Sequence, residues 1–244
     1  MGNLTLDEIS QWVAQHIEEF HQKKIDRLER LKLHVLLKRK NPYLFRIKDL
    51  DTPEALVRGL AEAWVSSQEE TLFGNWLEQL AIFVNERAFG GRKSGIEGID
   101  LEFERDNVLY LVTIKSGPDW GNSSQVKKME ELFKSAIKRF RTSGASVAVE
   151  CVNGCCYGQR SADKGTWKKL CGQDFWEFIS GLENLYVDLI IPLGHNAREW
   201  NEGYRSRYEE VLKKLIDEFS ANFCEDDGTI DWEKIVRFNS GSKK

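Results

Sequence analysis

Long apolar runs are missing from this sequence of 244 residues. None approaches the roughly 18 uninterrupted apolar residues that a membrane-spanning helix requires, which excludes a membrane protein of that kind. The first ten residues also lack the basic segment followed by an apolar segment that marks a secretory signal. We therefore expect a protein that folds in solution in the cytoplasm and has no membrane partner.

Cysteines are few, and their number is odd. There are five, and in a chain without a secretory signal they are expected to be reduced thiols. Most lie in one region, where their spacing does not give the two Cys-x-x-Cys pairs typical of structural zinc: Cys151, Cys155, Cys156 and Cys171. Small buried side chains around a strand are the favoured interpretation, and zinc is the weaker alternative.

A large net charge is also absent, because 35 Lys and Arg residues face 39 Asp and Glu residues for a total of −4. Taken alone, this total argues against a nucleic-acid partner. The charges are unevenly distributed, however: residues 23–48 hold ten basic and two acidic residues (+8), and residues 199–233 hold four basic and eleven acidic residues (−7). A charge run is most often a solvated face, but a basic segment is also what a phosphate-binding surface requires.

The sequence does contain ample material for a core, with 41% apolar residues and eight tryptophans. Apolar residues at helical spacing predict one or two helices over 6–37 and further helices over 53–65, 68–88, 126–140, 176–182 and 204–223. Alternating or β-rich apolar runs predict strands over 99–103, 108–114, 146–152 and 185–192. We predict an α/β fold with a mixed central sheet flanked by helices and preceded by a helical N-terminal segment.

We predict two domains. Residues 1–50 are predicted to form a helical, basic segment that clamps DNA or mediates dimerisation, and residues 51–244 to form the α/β domain. The apolar stripe over residues 9–35 is a candidate for part of a dimer interface.

The predicted hairpin brings charged residues together. Because side chains alternate along a strand, Asp100 and Glu102 share one face, and Thr113 and Lys115 point the same way on the partner strand. A carboxylate and a backbone carbonyl, here that of Ile114, supply the hard oxygen ligands that Mg²⁺ prefers, and an adjacent ammonium can orient water. The arrangement fits phosphodiester hydrolysis, although a surface hairpin with a cross-strand ion pair would give the same pattern.

These residues resemble a known family. Residues 98–100 (GID) and 110–117 (YLVTIKSG), with Glu78 on an upstream helix and Gln125 opening a downstream one, resemble the PD-(D/E)XK nuclease superfamily. More narrowly, the chain resembles Type II restriction endonucleases of the PmeII type through residues 40–45 (KNPYLF), 66–74 (SSQEETLFG) and 114–125 (IKSGPDWGNSSQ). The resemblance spans about residues 38–160.

The resemblance implies roles for individual residues. Asp100 matches the metal-binding aspartate and Lys115 the catalytic lysine. Thr113 departs from the pattern, because the superfamily has Glu or Asp two residues before the lysine. The second carboxylate must then come from elsewhere, or the enzyme is impaired; the candidates in order are Glu78, Glu102 and Glu70.

DNA contacts are expected around the same loop and in the basic segment. Gln125 is a candidate for holding the site or contacting a phosphate, and Ser116, Asn122 and Ser123 for binding backbone phosphates. The basic candidates lie on the following helix (Lys127, Lys128, Lys134, Lys138, Arg139 and Arg141) and in the N-terminal segment (Lys38, Arg39 and Lys40). Weaker candidates for contacts to base edges are Arg160, Lys164, Lys168, Arg198, Asn201 and Arg205.

The sequence thus predicts a Mg²⁺-dependent Type II restriction endonuclease that cuts both strands of DNA at a short specific site. Cutting two antiparallel strands is most simply done by a two-fold homodimer. Two alternatives stay open: a repair nuclease of the same fold that recognises DNA structure, and a DNA-binding relative that has lost catalysis.

Overall fold

The computed structural model of the protein describes residues 4–142, 147–194 and 197–242. Within these ranges the chain forms two compact units, each built from discontinuous segments. The first comprises residues 4–18 and 73–194, and the second comprises residues 19–72 and 197–242. The division into domains at residue 50 concerns independent folding and stays a prediction.

The elements follow one another as an all-helical stretch, then strands with interspersed helices, then helices again. The helices are α1 (Leu6–Glu29), α2 (Leu33–Arg39), α3 (Pro42–Ile47), α4 (Pro53–Phe89), α5 (Ser123–Thr142), α6 (Gln173–Ser180), α7 (Leu185–Asp188), α8 (Ile190–Gly194), α9 (Ala197–Phe223) and α10 (Trp232–Ser240). The strands are β1 (Arg92–Lys93), β2 (Leu101–Arg105), β3 (Val108–Lys115), β4 (Ala148–Cys155), β5 (Ala162–Asp163) and β6 (Lys168–Cys171).

The strands form one mixed sheet in the first unit, in the order β1-β2-β3-β4-β6-β5. The pairs β3–β4 and β4–β6 are parallel, and the remaining pairs are antiparallel. The carboxyl ends of β3, β4 and β6 therefore meet at one edge of the sheet, where Lys115 aligns with Cys155 and Cys155 with Cys171. The predicted α/β class, with a mixed sheet, flanking helices and a helical N-terminal segment, is confirmed.

The predicted hairpin is present as β2 and β3. Its two-residue turn consists of Asp106 and Asn107, both with positive φ (54° and 59°). Such turns match the right-handed twist of the flanking strands, and Asp and Asn tolerate the left-handed conformation better than other side chains. The turn fixes the register, in which Leu101 lies opposite Val112 and Glu102 opposite Leu111.

Helices cover the sheet on both faces. Met129, Phe133 and Ala136 lie on one stripe of α5 and pack in a buried cluster with Leu111 of β3 and Cys151 of β4. A group of aromatic rings stacks Phe103 of β2 against Phe89 at the end of α4, with Phe178 of α6 beside it. Both faces of the central strands are thereby removed from water, as parallel strands require.

The second unit is a helical bundle. Leu33, Leu36 and Leu37 of α2 belong to one buried cluster with residues of α4, α9 and α10, among them Leu56, Leu60, Leu212, Phe219 and Ile235. The apolar face of the basic segment is therefore core, while Lys38 and Arg39 are exposed.

The structure corrects one predicted strand and joins two predicted helices. Residues 185–192, predicted as a strand, form α7 and most of α8. A short apolar run cannot be assigned to strand or helix from periodicity alone, and here Ile190 and Ile191 are 68% and 79% exposed rather than buried in a sheet. The helices predicted over 53–65 and 68–88 are one continuous helix. The two residues at the predicted break are Ser66 and Ser67, and neither is a proline or a glycine, the residues that commonly end a helix.

The other elements agree in type and differ in extent. The strand predicted over 146–152 is observed as β4, although residue 146 lies outside the described residues. The short strands β1, β5 and β6 and the helices α3 and α10 had not been predicted. In the part of the chain that the structure describes, no helix combines the length and apolar character needed to cross a membrane.

The cysteines offer a test of the core. Burial raises the pKa of Cys151 and of Cys155 to about 12, and it raises the pKa of the buried Cys156 as well. Cys224 in the second unit is only partly buried. Because the four thiols of the first unit are buried and out of reach of a reagent in solution, we expect a thiol reagent at pH 8 to modify at most one cysteine per native chain.

That cysteine is expected to be Cys224, and Cys224→Ser should abolish the native reaction. Unfolding in guanidinium should then make all five thiols of the unsubstituted chain reactive. Fast modification of two or more thiols in the folded protein would contradict the packing of β4.

Candidate active site

Asp100 is held at the start of the hairpin by three contacts. Its backbone N–H donates to the Val112 carbonyl (2.9 Å), and its Oδ2 accepts from the N–H of Ile114 (2.6 Å). Lys115 Nζ lies 3.8 Å from the same Oδ2. The carboxylate is therefore fixed against β3, one position before β2 begins.

The approach to Asp100 depends on Gly98. This residue has φ +78°, and a Cβ placed on it would lie 2.4 Å from Leu132 Cδ1 of α5. Only glycine combines this conformation with so close an approach to a helix. The turn at Gly98 thus lets α5 pack closely while Ile99 enters the core.

Lys115 is the last residue of β3 and its side chain is one-third exposed (33%). The ammonium lies close to Asp100 and to the ring of Trp120, whose centroid is 5.5 Å from Nζ. The Lys115 carbonyl accepts from the N–H of Cys156 (2.9 Å), which joins the end of β3 to the segment that follows β4. A lysine at the carboxyl edge of the sheet is thereby kept half-buried.

Glu78 on α4 faces the same charges. Partial burial raises its pKa, and the negative charge of Asp100 raises it further, while Lys93 and Lys115 act in the opposite direction. Lys93 Nζ lies 3.6 Å from Glu78 Oε1. A carboxylate whose pKa is raised by burial and by a neighbouring negative charge marks a position that a cation would stabilise. The structure thus brings together Asp100, Lys115 and Glu78, the three predicted catalytic residues.

The other two candidate carboxylates have different surroundings. Glu102 is buried, and both of its oxygens are engaged: Oε1 accepts from Arg92 Nε and Oε2 from Ser94 Oγ, each at 2.7 Å. Glu70 is exposed on α4, in the second unit. Glu102 therefore has a structural function in joining β1 to β2, and the choice of Glu78 as the second carboxylate stays a prediction.

Thr113, which stands where an acidic residue was expected, is buried. Its hydroxyl accepts from Asn153 Nδ2 (3.0 Å) and donates to Met129 Sδ (3.6 Å). Asn153 and Trp120 were not among the site residues predicted from the sequence. An asparagine near the end of a mostly apolar predicted strand was the available indication, because a buried amide needs partners for both of its ends.

The sequence that contains this site matches a known protein family. A family model described as Type II restriction endonuclease EcoO109I matches residues 7–201. The chain belongs to this family. The matched region contains Glu78, Asp100 and Lys115, and a search of curated proteins gave no match.

The EcoO109I family consists of Type II restriction endonucleases, so this protein belongs to a family of hydrolases that act on DNA. The expectation from the sequence is confirmed at this level. The narrower PmeII type and the PD-(D/E)XK superfamily stay predictions.

The loop after β3 ends in a helix cap. Asn122 Oδ1 accepts from the N–H groups of Ser124 and Gln125, both at 3.1 Å, and Gln125 Oε1 accepts from the N–H of Asn122 (2.9 Å). This reciprocal pair is a capping box, which satisfies otherwise unpaired N–H groups at a helix start. Gln125 therefore stabilises α5, while Ser116 is half-buried and Ser123 is exposed.

Replacing the capping residue is expected to destabilise the endonuclease. Asn122→Ala should lower the free energy of unfolding by about 1 kcal/mol, because the first turn of α5 loses its side-chain acceptor. Urea unfolding followed by circular dichroism measures this change. Ser124→Ala, at an exposed neighbour whose backbone alone takes part in the cap, is the matched control. Equal stabilities of the two variants would contradict the capping function.

The basic candidates differ in availability. Lys127, Lys128 and Lys134 are exposed on α5, and the side chain of Arg141 lies outside the described residues. In the second unit Lys38 and Arg39 are exposed, whereas Lys40 Nζ donates to the Ala63 carbonyl (3.0 Å). Several weaker candidates have intramolecular partners: Arg160 with Asp119, Lys168 with Glu150, Arg198 with Glu202 and Asn201 with the Ala197 carbonyl.

The donor set fits a magnesium ion. Among the residues that the structure describes, no cluster of three or more His, Cys, Asp or Glu side chains is arranged to hold a metal. An ion at this site would therefore rely on two carboxylates, a main-chain oxygen and water. Mg²⁺ is commonly held in this way, by one or two carboxylates with several retained waters.

Proposed function

We propose that the protein is a Mg²⁺-dependent Type II restriction endonuclease that hydrolyses phosphodiesters in both strands of double-stranded DNA at a specific short site. The observation that carries this proposal is the convergence of Glu78, Asp100 and Lys115 at the carboxyl edge of the sheet, inside the region that matches the restriction-endonuclease family. Partial burial of the Lys115 ammonium beside Asp100 costs free energy, and an ordinary ion pair at the protein surface would not require that cost.

The residues have distinct roles in the proposed reaction. Asp100 and Glu78 would hold the metal with the backbone carbonyl of Ile114. When bound, Mg²⁺ supplies positive charge to the phosphoryl oxygens and favours deprotonation of bound water. Lys115 orients the attacking water and stabilises the negative charge that develops on the phosphate.

DNA would be held through phosphates by Ser116, Asn122, Ser123, Lys127 and Lys128 around the site. Lys38, Arg39 and Lys40 of the second unit would add sequence-independent contacts. Lys and Arg residues that neutralise phosphates release condensed counterions, so affinity should fall steeply with salt.

Three further points belong to the same proposal. Two antiparallel strands are cut most simply by a homodimer. The short Lys115-to-Gln125 loop and the hairpin support placement in the PD-(D/E)XK superfamily and its PmeII type. Reduced, buried cysteines agree with a cytoplasmic location.

Digestion of a sequenced plasmid with Mg²⁺, followed by mapping of the ends, tests the proposal. Discrete fragments with one common terminal sequence are expected. A smear, or cleavage only of branched DNA, would instead indicate a structure-specific repair nuclease. Tight DNA binding without cleavage would indicate a relative that has lost catalysis, an alternative motivated by Thr113.

A further inference from the structure

Trp120 joins the loop after β3 to both the core and the candidate lysine. Its ring packs against the buried cluster beneath α5. On one side the ring lies 5.5 Å from Lys115 Nζ. On the other side Nε1 donates to Asn153 Oδ1 (3.0 Å). The orientation of the ring is therefore fixed by a hydrogen bond from the interior.

Asn153 is the buried end of this connection. It is fully buried in β4, directly opposite Thr113 of β3 in the parallel register. Its Nδ2 donates to Thr113 Oγ1 (3.0 Å) while its Oδ1 accepts from Trp120. An amide removed from water is costly unless both ends are hydrogen-bonded, so the two partners fix the orientation of Asn153.

Asp100 alone does not fix the ammonium of Lys115. The distance of 3.8 Å between Lys115 Nζ and Asp100 Oδ2 is longer than a hydrogen bond. A lysine ammonium lies at the end of a flexible four-carbon chain, and a single long ion pair restricts its position only slightly. An aromatic face within about 6 Å attracts a cation and narrows the positions that it takes.

We propose that Trp120 and Asn153 are positioning residues for Lys115, and that Thr113 belongs to this support. The indole face, 5.5 Å from Lys115 Nζ, limits the positions that the ammonium takes beside Asp100, and Asn153 holds the indole through a hydrogen bond. A buried hydroxyl at position 113 then serves as the acceptor that orients Asn153. This inference rests on the proposed function, because it assigns a reacting group to Lys115.

Trp120→Phe and Trp120→Leu separate the two contacts of the indole. Phenylalanine keeps an aromatic face for Lys115 but loses the donor to Asn153, whereas leucine loses both. Trp167→Leu is the matched control, because Trp167 packs in the same cluster and donates its Nε1 to Glu130 (3.1 Å) instead. Asn153→Leu removes the acceptor of the Trp120 hydrogen bond. If the Asn153→Leu variant does not fold, the Trp120 variants test the proposal.

The first readout is the single-turnover cleavage rate on a plasmid that carries the mapped site. We expect Trp120→Leu to be about 10- to 100-fold slower, since misplacement by about 1 Å has effects of this size. DNA affinity without divalent metal should stay within about threefold. The rate of Trp120→Phe should lie between those of Trp120→Leu and the unsubstituted protein, because this variant keeps an aromatic face for Lys115 but loses the hydrogen bond to Asn153. Trp167→Leu should lower the melting temperature and leave the rate unchanged.

The second readout does not depend on cleavage. In protein labelled with ¹³C-lysine, the ε-CH₂ resonance of Lys115, assigned with Lys115→Arg, should show a ring-current shift. The shift should disappear in Trp120→Leu and persist in Trp120→Phe.

Three results would overturn the inference: wild-type cleavage by Trp120→Leu, an equal loss of rate in Trp167→Leu, or an unchanged Lys115 resonance. A failure of the proposed function has a different signature. In that case Lys115→Ala would cleave as fast as the unsubstituted protein, whatever the lysine resonance shows.

Discussion

Asp100→Asn and Lys115→Met are each expected to reduce the rate of DNA cleavage by about 10²- to 10⁴-fold while leaving DNA affinity nearly unchanged. The physical reason is that both groups act on charge that develops during reaction and contribute little to holding the duplex. Asp100 loses the negative charge that a metal ion requires. Lys115→Met removes the positive charge that lies 3.8 Å from Asp100.

The substitutions are chosen so that folding is preserved. Asparagine keeps an oxygen that can accept from the N–H of Ile114, the contact of 2.6 Å that ties Asp100 to β3. Methionine fills most of the space of the Lys115 side chain beside Trp120. Lys213→Met, at an exposed lysine of α9 without a proposed role, is the matched control for loss of one positive charge.

Cleavage is measured under single turnover with Mg²⁺, and binding by fluorescence anisotropy without divalent metal. Circular dichroism checks that each variant is folded. Asparagine is used at position 100 because it can keep the hydrogen bond from Ile114, so that a loss of cleavage reports on the missing charge rather than on unfolding. Retention of more than about a tenth of the unsubstituted rate by either variant would contradict the assigned roles.

Local patterns account for the part of the site that sequence analysis located. Asp100 directly precedes β2 and Lys115 ends β3, and a two-residue turn joins these two strands, so alternation and turn chemistry alone bring the two residues together. The indication for Glu78 came from resemblance, and its proximity to Asp100 depends on how α4 packs on the sheet. Periodicity gives the apolar face of a helix but not the side chain that it presents to a distant strand.

The contacts of Thr113 depended on non-local register. Its partner Asn153 is 40 residues further along the chain, and only the parallel pairing of β3 with β4 makes the two residues neighbours. The strand prediction over 185–192 was wrong for a related reason. An apolar run shows that residues avoid water on average, whereas Ile190 and Ile191 are mostly exposed on a short helix.

Charge segregation along the sequence does not imply segregation in space. The basic segment 23–48 and the acidic stretch 199–233 both belong to the second unit. Within that unit Arg207 lies 3.8 Å from Glu29 and Arg58 lies 3.0 Å from Glu209. A DNA-binding role for the unit must therefore rest on exposed residues such as Lys38 and Arg39 rather than on the sum of charges.

Glu78→Gln and Glu102→Gln are expected to have opposite effects on activity and stability. Glu78→Gln should lower the cleavage rate by about 10²-fold or more, because the site loses the second carboxylate. Its stability without metal should be equal or higher. Burial and Asp100 raise the pKa of Glu78, so the folded protein disfavours the charged form, and above that pKa removal of the charge relieves the penalty.

Glu102→Gln should instead keep most of the activity and lose stability. The carboxylate accepts two hydrogen bonds of 2.7 Å, from Arg92 and Ser94. Glutamine can replace only one of these acceptors and leaves Arg92 without its charge partner, at a cost of about 1–3 kcal/mol. Urea unfolding and single-turnover cleavage on the same preparations give both quantities. Full cleavage by the Glu78 variant with loss in the stably folded Glu102 variant would reverse the assignment of the second carboxylate.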